Sequence, residues 1–157
     1  MNRSTAGQHA LPTTRGAGGW GRIAVLFEPG RSGNAALERG VALSREHEAE
    51  LAVVAVAPQA ERSRCAGPSP DGYNDAIRDT VQSELQDAER RVGASNPPVT
   101  YALLVQGRDA PLDRWLEAES ADLVLLPARR PMLRWPHHPD ARRLRRRLQA
   151  EVRVVAP

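Results

Sequence analysis

The sequence contains no lysine; all 22 of its basic residues are arginine. That excludes every chemistry built on an amine side chain. The GK[ST] phosphate loop, the phosphate-pairing lysine of kinases, Schiff-base catalysis and the phospho-receiver site all fall away. Cysteine occurs once, at Cys65, so neither an intramolecular disulfide nor a cysteine zinc cage can form. Aromatic residues are only 4% of the chain, which leaves Ala, Val and Leu to build the core. No apolar run approaches the roughly 20 residues that span a bilayer. No stretch of signal-peptide type opens the sequence, so a cytoplasmic protein is expected, with no membrane partner.

What is present suits one domain of 157 residues. Its charge is uneven. Residues 129–153 carry nine Arg against Asp140 and Glu151, whereas residues 1–128 carry 13 Arg against 17 acids. The basicity is therefore one local patch on a mildly acidic body. Its ordinary reading is a solvated helix face.

Residues 1–20 are rich in Ser, Thr, Gly and Pro and lack periodicity, which predicts a disordered tail. Trp20 is expected to pack where the fold begins. Residues 21–157 form the domain. Arg22–Phe27, Leu51–Ala57, Val99–Val105, Asp122–Leu126 and Val152–Ala156 are short apolar runs, expected as five buried strands. Helical patterns lie between them. Ser32 is placed to cap a helix over about 33–48, with Ala36, Leu37, Val41 and Ser44 on one face. Asp71 is placed to cap a longer one, whose Ile77, Val81, Leu85, Ala88 and Val92 recur at helical spacing. Gly107 and Asp109 turn the chain into a third helix, with Pro111 in its first turn. Asp140 caps a fourth, carrying Ala141, Leu144 and Leu148. Alternation of strand and helix calls for a parallel α/β sheet covered on both faces, with ligands beyond the C-terminal strand ends.

Two segments sharpen this reading. Gln106-Gly107-Arg108-Asp109-Ala110-Pro111 enters the third helix, and Ala121-Asp122-Leu123-Val124-Leu125-Leu126 forms the fourth strand. Together with the closing Val152-Arg153-Val154-Val155-Ala156, they resemble the universal stress protein family over about residues 21–157. The resemblance implies a Rossmann-like three-layer sandwich with strand order 3-2-1-4-5. It also implies a homodimer paired through the last strand, at Val152, Val154 and Val155.

ATP-binding members of that family carry G-x2-G-x9-G-[S/T] after the fourth strand. Laid over it without a gap, the four motif positions fall on Pro127, Arg130, Asp140 and Ala141. None is the family residue. Pro127 removes an amide donor. Arg130 puts bulk where hydrogen fits. Asp140 sets a carboxylate against phosphate oxygens, and Ala141 lacks the hydroxyl. Glu28 stands where the family has an acid near the ribose or metal. Ordinary ATP binding is expected to be absent, and no cofactor is expected; ATP or AMP on a remodelled site is the alternative.

Other candidates are weighed against surface roles. Arg129 and Arg130, with Arg142 and Arg143, are candidates for a replacement anion site. The Arg142–Arg147 run is a candidate nucleic-acid surface, yet Trp135 is the only stacking residue near it, so nucleic acid is not the expected partner. His137-His138 lack a third ligand at metal spacing, so no metal is expected. Cys65 between Arg residues is a candidate redox thiol, against an incidental cysteine. No nucleophile–base–acid set stands out, so no catalytic residue is assigned and no enzyme is expected. The expected function is a non-enzymatic stress-response or regulatory protein acting through dimerisation and an unidentified protein partner. The alternative is a module binding an adenine nucleotide or another anionic small molecule.

Overall fold

In a computed structural model, residues 19–59, 70–95, 97–128 and 140–157 are described. Cys65, Arg129, Arg130, Trp135, His137 and His138 lie outside them, as does the tail before residue 19.

The apolar runs become strands because both of their faces are covered. Among the described residues nine elements alternate: β1 (Arg22–Leu26), α1 (Arg31–His47), β2 (Glu50–Ala57), α2 (Pro70–Val92), β3 (Val99–Val105), α3 (Leu112–Ala118), β4 (Leu123–Pro127), α4 (Ala141–Arg147) and β5 (Glu151–Val155). All five strands are parallel in the order β3-β2-β1-β4-β5, as the resemblance implies. Side chains alternate across the sheet. Ile23, Val25, Leu51, Val53, Leu123 and Leu125 face α1 and α2. Ala24, Leu26, Val54, Val124, Leu126 and Val152 face α3 and α4. With few aromatics, close approach replaces bulk. An added Cβ on Gly40 of α1 would lie 2.4 Å from Val25 Cγ2, so the helix rests almost on β1.

Several element ends differ from the expectation. Helix α1 starts at Arg31 with Gly30 at its cap, and no side chain caps it; Ser32 is inside the helix. Helix α2 starts at Pro70, one residue before the expected cap Asp71. A proline suits that position because its missing N–H would be unpaired there in any case. Pro111 is the cap of α3 rather than part of its first turn. Strand β4 runs one residue later than expected, and β5 one residue earlier.

Asp122 explains the shift of β4. It stands just before the strand, and its Oδ2 accepts from the Gly21 N–H at 2.9 Å and the Arg22 N–H at 3.1 Å. The carboxylate thus ties the start of β1 to the start of β4. Arg22 reaches from there to Glu50 and to the Glu119 carbonyl, 2.9 Å away. Trp20 packs where the fold begins: its ring meets His47 edge-on at 4.7 Å, and the Arg153 guanidinium lies 4.7 Å above it. In the last turn of α1 the buried Ser44 hydroxyl donates to the Ala49 carbonyl at 2.6 Å. That bond satisfies the one buried polar residue of the described core.

Candidate functional site

In an open parallel sheet the chain runs to opposite sides at the strand where the order reverses, and the crevice there is where ligands bind. Here β1 is that strand, with β2 on one side and β4 on the other. A cleft of about 1840 Å³ opens at the C-terminal strand ends. Glu28 follows β1, Gln106 and Asp109 follow β3, and Ala128 follows β4; the N-terminal turns of α1 and α4 contribute Ser32 and Asp140. The α2 stripe reaches the cleft as well. Leu85 and Ala88 are buried against the sheet, while Ile77 and Val81, nearer the start of the helix, line the cavity.

Among the described residues the lining of the cleft carries more acid than base. Glu28, Glu38, Asp109, Asp113 and Asp140 are the carboxylates among the described lining residues, against Arg31 and Arg143. Of the motif-equivalent positions, Glu28 and Asp140 line the cleft. Pro127 is buried in β4, paired with Val155. Ala141 is half-buried and packs on the core under α4. The Asp140 side chain caps α4, accepting from the Arg142 N–H at 2.9 Å. A carboxylate of the chain itself therefore occupies a place where a helix would offer an amide to phosphate.

Two of the five arginines in the 142–147 run are engaged by the fold. Arg145 donates to the Val152 carbonyl. Arg147 pairs with Asp113 and so ties α4 to α3. Arg143 lines the cleft, and Arg142 is exposed beside it. As an anion site, then, the structure brings Arg143 into the cavity and leaves Arg142 at the surface.

Three further lining residues matter for the site: Gln106 and Asp109 lie in the 106–109 loop that the sequence marks as a place for ligands, whereas Asp113 lies beyond it. Gln106 places its Oε1 in an enclosed position with no hydrogen-bond partner. Asp109 holds the loop by accepting the Val105 N–H at 2.6 Å. Asp113 is the third, with a side chain only 12% exposed. The sequence signals for them were the loop after the third strand, at 106–109, and the Gly107–Pro111 turn.

Burial pushes the Asp113 carboxyl up, but the hydrogen bond from Arg147, the Arg114 N–H and the charge of Arg143 outweigh it and hold the pKa below the usual value. A depressed carboxylate stabilises the folded state above its unfolded pKa, near 4, and that contribution fades as pH falls through the folded pKa. Asp113→Asn should therefore cost about 1 kcal/mol at neutral pH. The difference from the parent should vanish in acid below the folded pKa. Urea denaturation of both proteins between pH 7 and pH 2 checks this, and a gap that persists in acid would contradict it.

No protein-family model matches the chain, and no curated protein matches it. Solved structures do. A protein from the universal stress protein family of Burkholderia pseudomallei aligns over 86% of this chain and 95% of its own, at 22% identity and a TM-score of 0.64. Universal stress protein UspA from Lactobacillus plantarum aligns over 87% and 98%, at 17% identity and a TM-score of 0.67. The fold is that of the universal stress proteins. A universal stress protein solved in complex with cAMP aligns over 87% of this chain and 97% of its own, at 21% identity and a TM-score of 0.53. The alignments thus cover 86–87% of the chain. At these identities the likeness is one of fold, and the site must be judged on its own residues.

Proposed function

We propose that this chain is a non-enzymatic stress-response or regulatory protein that acts in the cytoplasm, as a homodimer and through protein partners. In this reading it does not bind ATP in the ordinary way of the fold. The observation that carries the reading is Asp140. Its carboxylate already sits on the Arg142 N–H, and an incoming triphosphate would meet that negative charge together with Glu28, Asp109 and Asp113. Pro127, at the end of β4, has no N–H to donate. Among the described residues no helix is long and apolar enough to cross a membrane.

The test is calorimetric titration of the full chain with ATP and with AMP. The expected result is no saturable heat below about 1 mM, the concentration that corresponds to about −4 kcal/mol of binding. Micromolar binding of ATP would overturn the reading.

A second reading, a small-molecule module with a remodelled site, has an observation of its own. The enclosed Gln106 Oε1 lacks a partner, and buried acceptors are normally paired. A ligand with a donor group at that point would satisfy it. Under this reading a bound small molecule would be lost on Gln106→Leu substitution, and Glu28→Gln would weaken it further.

A further inference from the structure

Among the described residues the two faces of the sheet are covered unequally. Helices α1 and α2, of 17 and 23 residues, lie over one face. Helices α3 and α4, of 7 residues each, lie over the other. Seven helical residues span about 10 Å, whereas a strand as long as β2 spans about 26 Å. The short helices leave the C-terminal strand ends of their face to the cleft. Leu26 of β1, Val56 of β2 and Leu104 of β3 form its floor there, with Leu112 of α3 and Leu144 of α4 beside them. This lobe of the cleft is aliphatic.

An uncharged polar side chain stands on the same floor. The Gln106 N–H donates to the Ala57 carbonyl at 3.0 Å, so the ladder of β3 runs on through Gln106. Its side chain therefore falls on the face of Leu104, two residues before it. Its Oε1 is enclosed and has no hydrogen-bond partner. The last torsion of a glutamine is soft, so Oε1 turns readily to meet a donor in the cleft. Three of the lining carboxylates are already engaged: Asp109 accepts the Val105 N–H, Asp113 pairs with Arg147, and Asp140 caps α4.

We infer that this lobe takes a largely apolar molecule that carries an N–H or O–H donor and no negative charge. The inference rests on the second reading above, that the cleft holds a small molecule, and it names the chemical class. An aliphatic floor favours an apolar body, and a polar group placed on such a floor orients the ligand. Gln106 fills that role as an acceptor. An anion gains nothing from Gln106 Oε1, finds no amide at Pro127, and meets the lining carboxylates. The class is thus different from the nucleotide or other anion that the resemblance offers as an alternative.

The test titrates the full chain with N-phenyl-1-naphthylamine, a neutral apolar amine with one N–H that fluoresces on leaving water. Two relatives share its skeleton. The 8-sulfonate adds one negative charge. 1-Phenoxynaphthalene puts an ether oxygen in place of the N–H and is followed by displacement of the amine. The amine should bind saturably, with a Kd of about 10 µM. The sulfonate should bind at least about tenfold more weakly. The ether should bind the parent about fivefold more weakly than the amine, and Gln106→Leu should erase that preference. Gln106→Met is the substitute if the leucine variant melts early. A sulfonate that binds as tightly as the amine would overturn the inference and leave the small-molecule reading standing. So would a preference for amine over ether that persists in the Gln106 variants. Absence of saturable binding by any of the three would also overturn the inference. The reading then survives only if a molecule that co-purifies with the parent is lost from Gln106→Leu.

Discussion

Gly33→Ala will cost the protein about 3 kcal/mol or more and lower its midpoint of thermal unfolding by about 6–12 °C. A Cβ on Gly33 would lie 1.6 Å from the Glu28 carbonyl oxygen and 2.7 Å from its carbon. The obstacle is main chain, so no side-chain rotation relieves it. Either the first turn of α1 lifts away or the loop after β1 moves, and Glu28 moves with that loop. The substitution therefore acts on the wall of the cleft as well as on stability. Ser32→Ala in the same turn is the control. The Ser32 hydroxyl makes no cap bond to α1, so its loss should stay within about 0.5 kcal/mol. Chemical denaturation of the three proteins decides. Parity between Gly33→Ala and the parent would mean that the helix does not sit this close to β1.

Asp122→Ala has the second largest expected effect, a loss of about 2–4 kcal/mol. One carboxylate oxygen satisfies the N–H groups of both Gly21 and Arg22. Hydrogen bonds to a charged acceptor are worth about 1.5–3 kcal/mol each, and their removal strands donors at the part-buried start of β1. Asp122→Asn keeps an acceptor oxygen and should lose less than half as much. Amide hydrogen exchange gives a local check. In the alanine variant, exchange at Gly21 and Arg22 should accelerate before the rest of the sheet does. Equal stability of the alanine variant and the parent would contradict the tie between β1 and β4.

These residues show what the sequence made legible. The five strands were readable because a strand buried on both faces is a continuous apolar run, as in LAVVAVA. Their order came from the resemblance, since a run of valines does not say which neighbour it pairs with. Helix starts were less readable. Ser32 has the chemistry of a cap, but Gly33 must pass the Glu28 carbonyl, and that contact sets where the helix begins. Asp122 read as the first residue of a strand because its partners, Gly21 and Arg22, are a hundred residues away.

The site divides in the same manner. Glu28 and Asp140 were legible through the motif frame, and both line the cleft. Gln106, Asp109 and Asp113 enter it through the shape of one turn, which spacing alone does not describe. The arginine run was the least legible part. A charge count cannot tell that Arg145 is used by a carbonyl and Arg147 by Asp113, which leaves Arg143 as the member facing the cavity.

The most direct measurement of the central claim is the nucleotide content of the freshly purified protein. The full chain would be denatured, the supernatant separated, and released small molecules identified by mass spectrometry against a universal stress protein that retains the glycine motif. The account predicts no ATP, ADP or AMP above the background of a non-binding control, because Asp140 caps α4 and Pro127 offers no amide. Stoichiometric adenine nucleotide, retained through purification and lost on Glu28→Gln, would contradict it.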